Sequence, residues 1–222
     1  HSTSSAASDV YKRQGLYAID LETTGLDTRV YNNRTVDQIV GFCLAPKPDV
    51  GYYIPIRHRE DGKDKNLSIS TVESEMRRLA NSGSVAIFHN AKFDQQFLQY
   101  CGGEPMGMWD DHKQFEDTII LAYLSNTRMR RKGLKDLTKE RLQIEMIELK
   151  ELFPQDHKGK LDYSLLDPSL PETLAYAASD AVCTYKLYEI FHPLVVGATP
   201  NQSLIYGIEK GCLAATRWME KS

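Results

Sequence analysis

The stretch Tyr17-Ala-Ile-Asp20-Leu-Glu22-Thr-Thr-Gly25-Leu26-Asp27 constrains this chain more than any other. Leu16, Ala18 and Ile19 make a short apolar run of the kind that becomes a buried strand, and side chains two apart on a strand project from one face. Asp20 and Glu22 would then stand side by side. Adjacent carboxylates repel each other and resist desolvation, so the pair is tolerable where one is protonated or a multivalent cation neutralises both. A solvated turn carrying a helix cap is the other meaning of Asp-x-Glu, and stretches further along must decide between them.

The 222 residues fit one globular unit with a real core, at 41% hydrophobic and 26% charged. No apolar run approaches the ~20 residues of a membrane span and no secretion signal is visible, so a cytoplasmic protein is expected, with no membrane partner. Cys43, Cys101, Cys183 and Cys212 are far apart, without zinc-type or disulfide-type spacing, and read as reduced packing residues. Residues 1–14 are foreign to this picture: Ser4 to Gln14 reads, codon for codon, as a translated transposase-type sequencing adaptor and is left out of the fold reasoning. That stretch carries Asp9, Lys12 and Arg13, a net +1, so the remainder holds −4 where the whole holds −3. A partner such as nucleic acid would have to be met by local basic patches and metal ions rather than by bulk charge.

After the first strand, a polar loop leads to a second strand over Val36 to Leu44, a break at Pro46-Lys-Pro48, and a third strand over Val50 to Ile56, an antiparallel opening. Thr71 can cap a helix running to about Ala80. Ser84 to Phe88 is a short strand feeding a helix capped by Asn90, with Phe93, Phe97 and Leu98 as its apolar stripe and Gly102-Gly103 as its end. Asp94 falls in the first turn, where an acid is often only a dipole partner, but strand-to-helix order delivers it to the sheet end that carries Asp20. Gln114 to Tyr123 reads as a helix, followed by Arg128-Met-Arg130-Arg131-Lys132, four positive charges in five residues, and a helix over Leu134 to Leu142. From Pro171 a helix runs until Pro193, with Tyr176 and Asp180 one turn apart on one face and small Ala177, Ala178 and Ser179 between them, which would let it lie close against the sheet. A last amphipathic helix covers Ser203 to Met219.

Asp20, Glu22, Asp94 and Asp180 form an oxygen-only ligand set suited to two hard divalent cations, Mg²⁺ or Mn²⁺, where zinc or copper would recruit His or Cys. Two such ions ~3.5–4 Å apart activate a water and stabilise the leaving oxygen of a phosphodiester displacement. Tyr176 would orient that water.

Asp20-x-Glu22, Asn90-x-x-Phe93-Asp94 and Tyr176-x-x-x-Asp180, in that order, resemble the three motifs of the DEDDy exonucleases. With Ile39-Val-Gly-Phe42, Gly51-Tyr-Tyr-Ile-Pro-Ile-Arg-His58 and Glu116-Asp-Thr118, the stretch from about Leu16 to Pro193 is similar to the 3′–5′ proofreading domain of family A, bacterial polymerase I-like DNA polymerases. The resemblance implies an α/β, ribonuclease H-like fold, a mixed five-stranded sheet flanked by helices. It implies that Asp20, Glu22 and Asp180 hold the metal nearer the nucleophile, that Asp20 bridges to the second, and that Asp94 reaches that one through water. It places Leu26 against the terminal base, Thr23 where the backbone meets the 3′ end, and Asn90 and Phe93 on the substrate side of the site, while Arg128, Arg130, Arg131 and Lys132 are candidates to guide the strand. The expected domains are 15–193 for the exonuclease and 194–222 for a helical lead-in to a polymerase domain in cis beyond Ser222. The expected substrate is single-stranded DNA or a frayed primer terminus. A ribonuclease D-like or RecQ-associated exonuclease shares the acids and the tyrosine, and an inert scaffold supporting a polymerase is the reading without chemistry.

Overall fold

A computed structural model describes residues 15–221 apart from 33, 100–108, 110 and 112; the adaptor-like stretch, Cys101 and Gly102-Gly103 lie outside the described residues. The first strand, β1 (Leu16–Thr23), alternates strictly: Tyr17, Ile19 and Leu21 enter one apolar cluster, while Ala18 enters another on the opposite face. Two short strands, β2 (Val30–Tyr31) and β3 (Arg34–Thr35), pair with each other, and then β4 (Ile39–Lys47) and β5 (Val50–Pro55) complete an antiparallel meander with β1. After helix α1 (Ile69–Ala80), β6 (Val85–Phe88) pairs parallel to β1 and leads into α2 (Ala91–Leu98). Strand β7 (Phe115–Asp117) follows, parallel to β6, then α3 (Thr118–Ser125), α4 (Leu134–Leu137) with a wider turn over Thr138–Leu142, α5 (Pro171–Val195) and α6 (Pro200–Lys221). The sheet order β5-β4-β1-β6-β7 is the expected mixed five-stranded sheet. Val72 and Met76 of α1 and Phe97 of α2 cover the Tyr17 face, and α5 covers the Ala18 face with Ala177, Ala181, Leu187 and Phe191.

Several boundaries differ from those read in the sequence, each for a local reason. The strand expected from Val36 starts at Ile39, because the Asp37 carboxylate is taken up by the turn before it: Asp27 N–H (2.8 Å), Thr24 Oγ1 (3.0 Å) and Lys160 Nζ (2.9 Å) all donate to it. Helix α1 begins two residues before Thr71, after Ser68. Pro193 does not end α5, which continues to Val195, since a proline this close to the end removes only one intrahelical bond.

The larger difference is β7, expected as the start of a helix. Phe115-Glu116-Asp117 is a fully buried strand, and its two acids are satisfied from elsewhere in the chain. Glu116 accepts from Tyr206 Oη (2.5 Å) and from Lys210 Nζ (3.2 Å), both on α6, and Tyr206 Oη in turn accepts from Asp117 N–H (2.9 Å). Lys210 also donates to Phe115 O (2.8 Å). Removing one member of a buried ion pair costs about 3–5 kcal/mol, because the other is left uncompensated. Lys210→Met should therefore lower stability by about that amount in urea unfolding, and a loss below about 1 kcal/mol would show that α6 contributes little to this sheet edge.

Candidate metal centre

The site is assembled on the α5 face of β1. Register places Asp20 opposite Cys43 and Glu22 opposite Gly41 on β4, and Cys43 opposite Tyr53 on β5. One oxygen of Asp20, one of Glu22 and the Cys43 sulfur all lie within 4.8 Å of one another. Asp180 and Tyr176 reach this group from α5, which sits low on the sheet because β5 carries no side chain where the helix crosses it. A Cβ on Gly51 would be 2.9 Å from both Cβ and O of Ala178. Asp94 arrives from the other direction: β6 runs parallel to β1 and turns into α2 at its carboxyl end, the edge where open α/β sheets form crevices. Its carboxylate accepts from the backbone N–H of Leu21, which fixes it beside Asp20.

The electrostatics follow from this crowding. Burial first, and then the charges of the other acids, hold Asp20, Glu22 and Asp94 well above the usual carboxylate range. Burial also raises Asp180, to about 7, against the opposing pull of Lys135 and a Ser179 hydrogen bond. Lys135 carries no signal in the sequence that marks it for this site. Its Nζ stands 5.2 Å from the Tyr176 ring centroid and donates to Ile147 O (2.8 Å) and Glu148 (3.1 Å). Cys43, a packing residue by its spacing, lies at the floor of the site, where burial and the neighbouring acids push its thiol up. Four of the five candidate donors, Asp20, Glu22, Asp94 and Asp180 beside Cys43, are carboxylates, a set that suits hard divalent cations.

Tyr176 is held by an aromatic stack. Its ring is stacked on Tyr163 at 5.7 Å, Tyr163 Oη donates to Thr173 O (2.9 Å), and Tyr53 meets the edge of Tyr163 at 5.7 Å. Tyr53 Oη is hydrogen-bonded to His58 Nε2 (2.7 Å), and His58 Nδ1 donates to Leu166 O (2.7 Å). Room for Tyr53 comes from Gly41, where a Cβ would lie 2.4 Å from its hydroxyl. Burial, then the charges of Glu22 and Asp180, push the Tyr176 phenol far up, so it stays protonated and acts by hydrogen bonding.

The remaining residues named from the sequence are distributed around this centre. Leu26 is 78% exposed at the tip of the turn that Asp37 secures, and Thr23 Oγ1 donates to Gly25 O (2.7 Å) within it. Asn90 occupies the cap position of α2 in left-handed conformation (φ 74°), without the side-chain cap bond expected of it. The α2 start is organised by Asp117 instead, which accepts from Ala91 N–H (2.7 Å) and from Ile119 N–H (2.8 Å) of α3. Phe93 is half-buried, edge-on to Phe97 at 5.1 Å. In the basic run, Arg128 and Arg130 are exposed, whereas Arg131 lies 3.5 Å from Asp136 and Lys132 covers the Tyr123 ring at 4.5 Å. The loop is tied to the end of β6 by His89: Nε2 donates to Lys132 O (2.9 Å) and Nδ1 accepts from Thr118 Oγ1 (2.7 Å). This tautomer belongs to the neutral ring, whose pKa burial pushes down to about 4.

These shifts predict how stability depends on pH. The raised carboxylates bind protons in the folded metal-free protein that the unfolded chain has released. The stability they confer is complete below about pH 4 and is lost as pH rises through the folded values, about 7 for Asp180. His58, His89 and His192, all lowered by burial, act in the opposite sense, but only below the ordinary histidine value of about 6.5. As pH rises to and through about 7 in chelator, the metal-free protein should therefore lose the share of stability that protonated Asp180 confers, and saturating Mg²⁺ should flatten the curve. A urea midpoint independent of pH in chelator would contradict the crowding of these acids.

Among known proteins, the 3′–5′ exonuclease profile of family A DNA polymerases matches residues 2–195. DNA polymerase I of Chloroflexus aurantiacus is 26% identical over 195 residues, 87% of this chain and 19% of that protein. DNA polymerase I of Borreliella burgdorferi is 28% identical over 183 residues, 81% of this chain and 17% of that one. The chain thus spans about a fifth of the length of these relatives. Among solved structures, Brucella melitensis NrnC with bound Mg²⁺ superposes with a TM-score of 0.61 at 17% identity, covering 94% of this chain and 86% of that one. Escherichia coli RNase D, an exoribonuclease involved in structured RNA processing, gives 0.51 at 17%, covering 93% and 48%. They share the ribonuclease H-like fold. No described helix is long and apolar enough to cross a membrane. With nearly nine-tenths of its length inside the match, the chain belongs to the 3′–5′ exonuclease family, as a proofreading-type domain of family A DNA polymerases.

Proposed function

We propose that the chain hydrolyses single-stranded or frayed DNA from the 3′ end, releasing mononucleotides, with two Mg²⁺ or Mn²⁺ ions, as the proofreading module of a longer polymerase. The observation that carries this reading is the convergence of Asp20, Glu22, Asp94 and Asp180 on one crevice, opposed by a single lysine and flanked by a protonated tyrosine. Bound there, the divalent ions offset the four carboxylates, activate a water and stabilise the departing oxygen. Asp20, Glu22, Asp94 and Asp180 would be the residues that hold the ions. The Tyr176 hydroxyl, kept protonated and fixed by the Tyr163 stack, aims that water at phosphorus. A bond forms from the water oxygen, the bond to the preceding 3′ oxygen breaks, and a 5′-mononucleotide leaves. Leu26 wedges against the last base, and Thr23, Asn90 and Phe93 line its path. Arg128 and Arg130, which keep no acidic partner among the described residues, guide the backbone, with Arg131 and Lys132 shaping their loop.

DNA is preferred to RNA because the curated relatives are DNA polymerases, although an RNA exonuclease shares the fold. Matched deoxyribo- and ribo-oligonucleotides distinguish the two, and faster cleavage of the RNA would reverse the assignment. Asp20→Ala should abolish most activity, and activity that survives excess chelator would support the inert-scaffold reading's opposite, a metal-independent nuclease, and refute this one.

Tyr176→Phe keeps the ring and loses only the hydroxyl. Its rate should fall by ~10²-fold or less, while Asp180→Ala falls further, because positioning contributes at the low end of ~10²–10⁴. Equal, complete loss in both would make Tyr176 indispensable to the chemistry. Terminal mismatches should be removed faster than paired ends, because unpairing is a cost of a few kcal/mol that they have already met. Equal single-turnover rates on both, unchanged by Leu26→Ala, would end the proofreading assignment.

A further inference from the structure

Beneath the turn that carries Leu26 lies a cavity of about 520 Å³, lined among others by Thr24, Arg57, Arg59 and Lys160. Two acids also line it, and each is already matched: Asp37 accepts from Lys160 Nζ at 2.9 Å, and Asp162 is paired with Arg59. Arg57 is the surplus charge. Its Nη1 donates to Ile39 O (2.7 Å), and among the described residues no carboxylate pairs with it. It is half-buried. An arginine fork has five N–H donors, and its geometry matches a carboxylate or a phosphate.

The cavity's position selects between these. Thr24 follows Glu22 by two residues, about 7 Å of extended chain, and its N–H is held by Gln38 O at 3.0 Å. The cavity wall therefore continues directly from the strand that carries the site's acids. Lys160 reaches from the far wall up to the Leu26 turn, where a Cβ on Gly25 would lie 2.4 Å from its Nζ. On the proposed reading, the centre one short step away takes a strand whose anionic groups are phosphates and not carboxylates. Its volume also exceeds what a lone inorganic ion needs.

We infer that this cavity is an anion subsite in which Arg57 grips a nucleotide phosphate, framed by the Lys160–Asp37 and Arg59–Asp162 pairs; this rests on the proposed nuclease reading. Two sources carry the same group. One is a phosphodiester of the bound strand away from the scissile bond, and the other is the 5′-phosphate of the released mononucleotide.

The test uses ligands that are not cleaved, so it does not depend on turnover. A single-stranded oligonucleotide with phosphorothioate linkages at its 3′ end, and separately a deoxynucleoside 5′-monophosphate, are titrated in Mg²⁺ against the wild type, R57Q and R57K. If the strand is the source, R57Q should weaken the oligonucleotide about tenfold and reduce the slope of log affinity against log salt by about 0.7, the value of one phosphate contact on a single strand. R57K should restore the slope but not the full affinity, because the ammonium lacks the fork. If the product is the source, R57Q should weaken the monophosphate and leave the oligonucleotide unchanged. Unchanged affinity for both ligands overturns the subsite. Because Arg57 also holds Ile39 O, melting curves accompany each titration; should R57Q fail to fold, full affinity in R57K alone overturns the assignment. A wild type that binds these ligands without degrading ordinary DNA would refute the nuclease reading and leave the subsite standing.

Discussion

Mutual repulsion among four carboxylates in one crevice is the constraint on which the rest of this structure depends. Left alone, they would protonate or push apart; burial holds all four above the usual carboxylate range, and for Asp20, Glu22 and Asp94 the charge of a neighbouring acid adds to it. The fold resists their separation by fixing each acid to a different rigid element. Asp20 and Glu22 ride a central strand paired on both sides, Asp180 a helix of 25 residues, and Asp94 the first turn of α2. Preorganised charge of this kind is what a metal-dependent site needs, because no reorganisation is then required when the ions arrive.

A second layer holds the first in place. Gly51 and Gly41 carry no side chains because other atoms occupy that space: the backbone of α5 in one case and the Tyr53 hydroxyl in the other. Tyr53, His58 and Tyr163 then form a stack that sets the plane of Tyr176, ending on backbone carbonyls that cannot swing away. On the opposite side, buried Asp117 joins the starts of α2 and α3, and His89 pins the basic loop to the end of β6.

The sequence made the acids legible because their spacing is local: two apart on a strand, one turn apart with tyrosine on a helix, or just past a strand end. The same holds for the close approach of α5, which its small residues announced. What escaped notice depends on partners distant in the chain. Cys43 meets Asp20 only through antiparallel register, and Lys135 meets Tyr176 only once two helices have packed. Strand β7 looks like a polar helix start because the groups that make buried Glu116 tolerable, Tyr206 and Lys210, lie some ninety residues away. Asn90 has the chemistry of a cap, yet the left-handed backbone it adopts hands that task to Asp117.

The anchoring of α6 carries a consequence for where this unit can be cut. The family match stops at residue 195, but the last helix supplies the counter-charge for Glu116, receives the Asp117 N–H, and reaches α2 through Glu220, which pairs with Lys92 at 2.5 Å and accepts from Gln96 at 3.1 Å. Lys92 and Gln96 flank Asp94 on the same short helix. A tug on the final helix would therefore be felt at both ends of the segment that presents Asp94 to the crevice. Homology draws the border of the nuclease before α6, whereas mechanics draws it after.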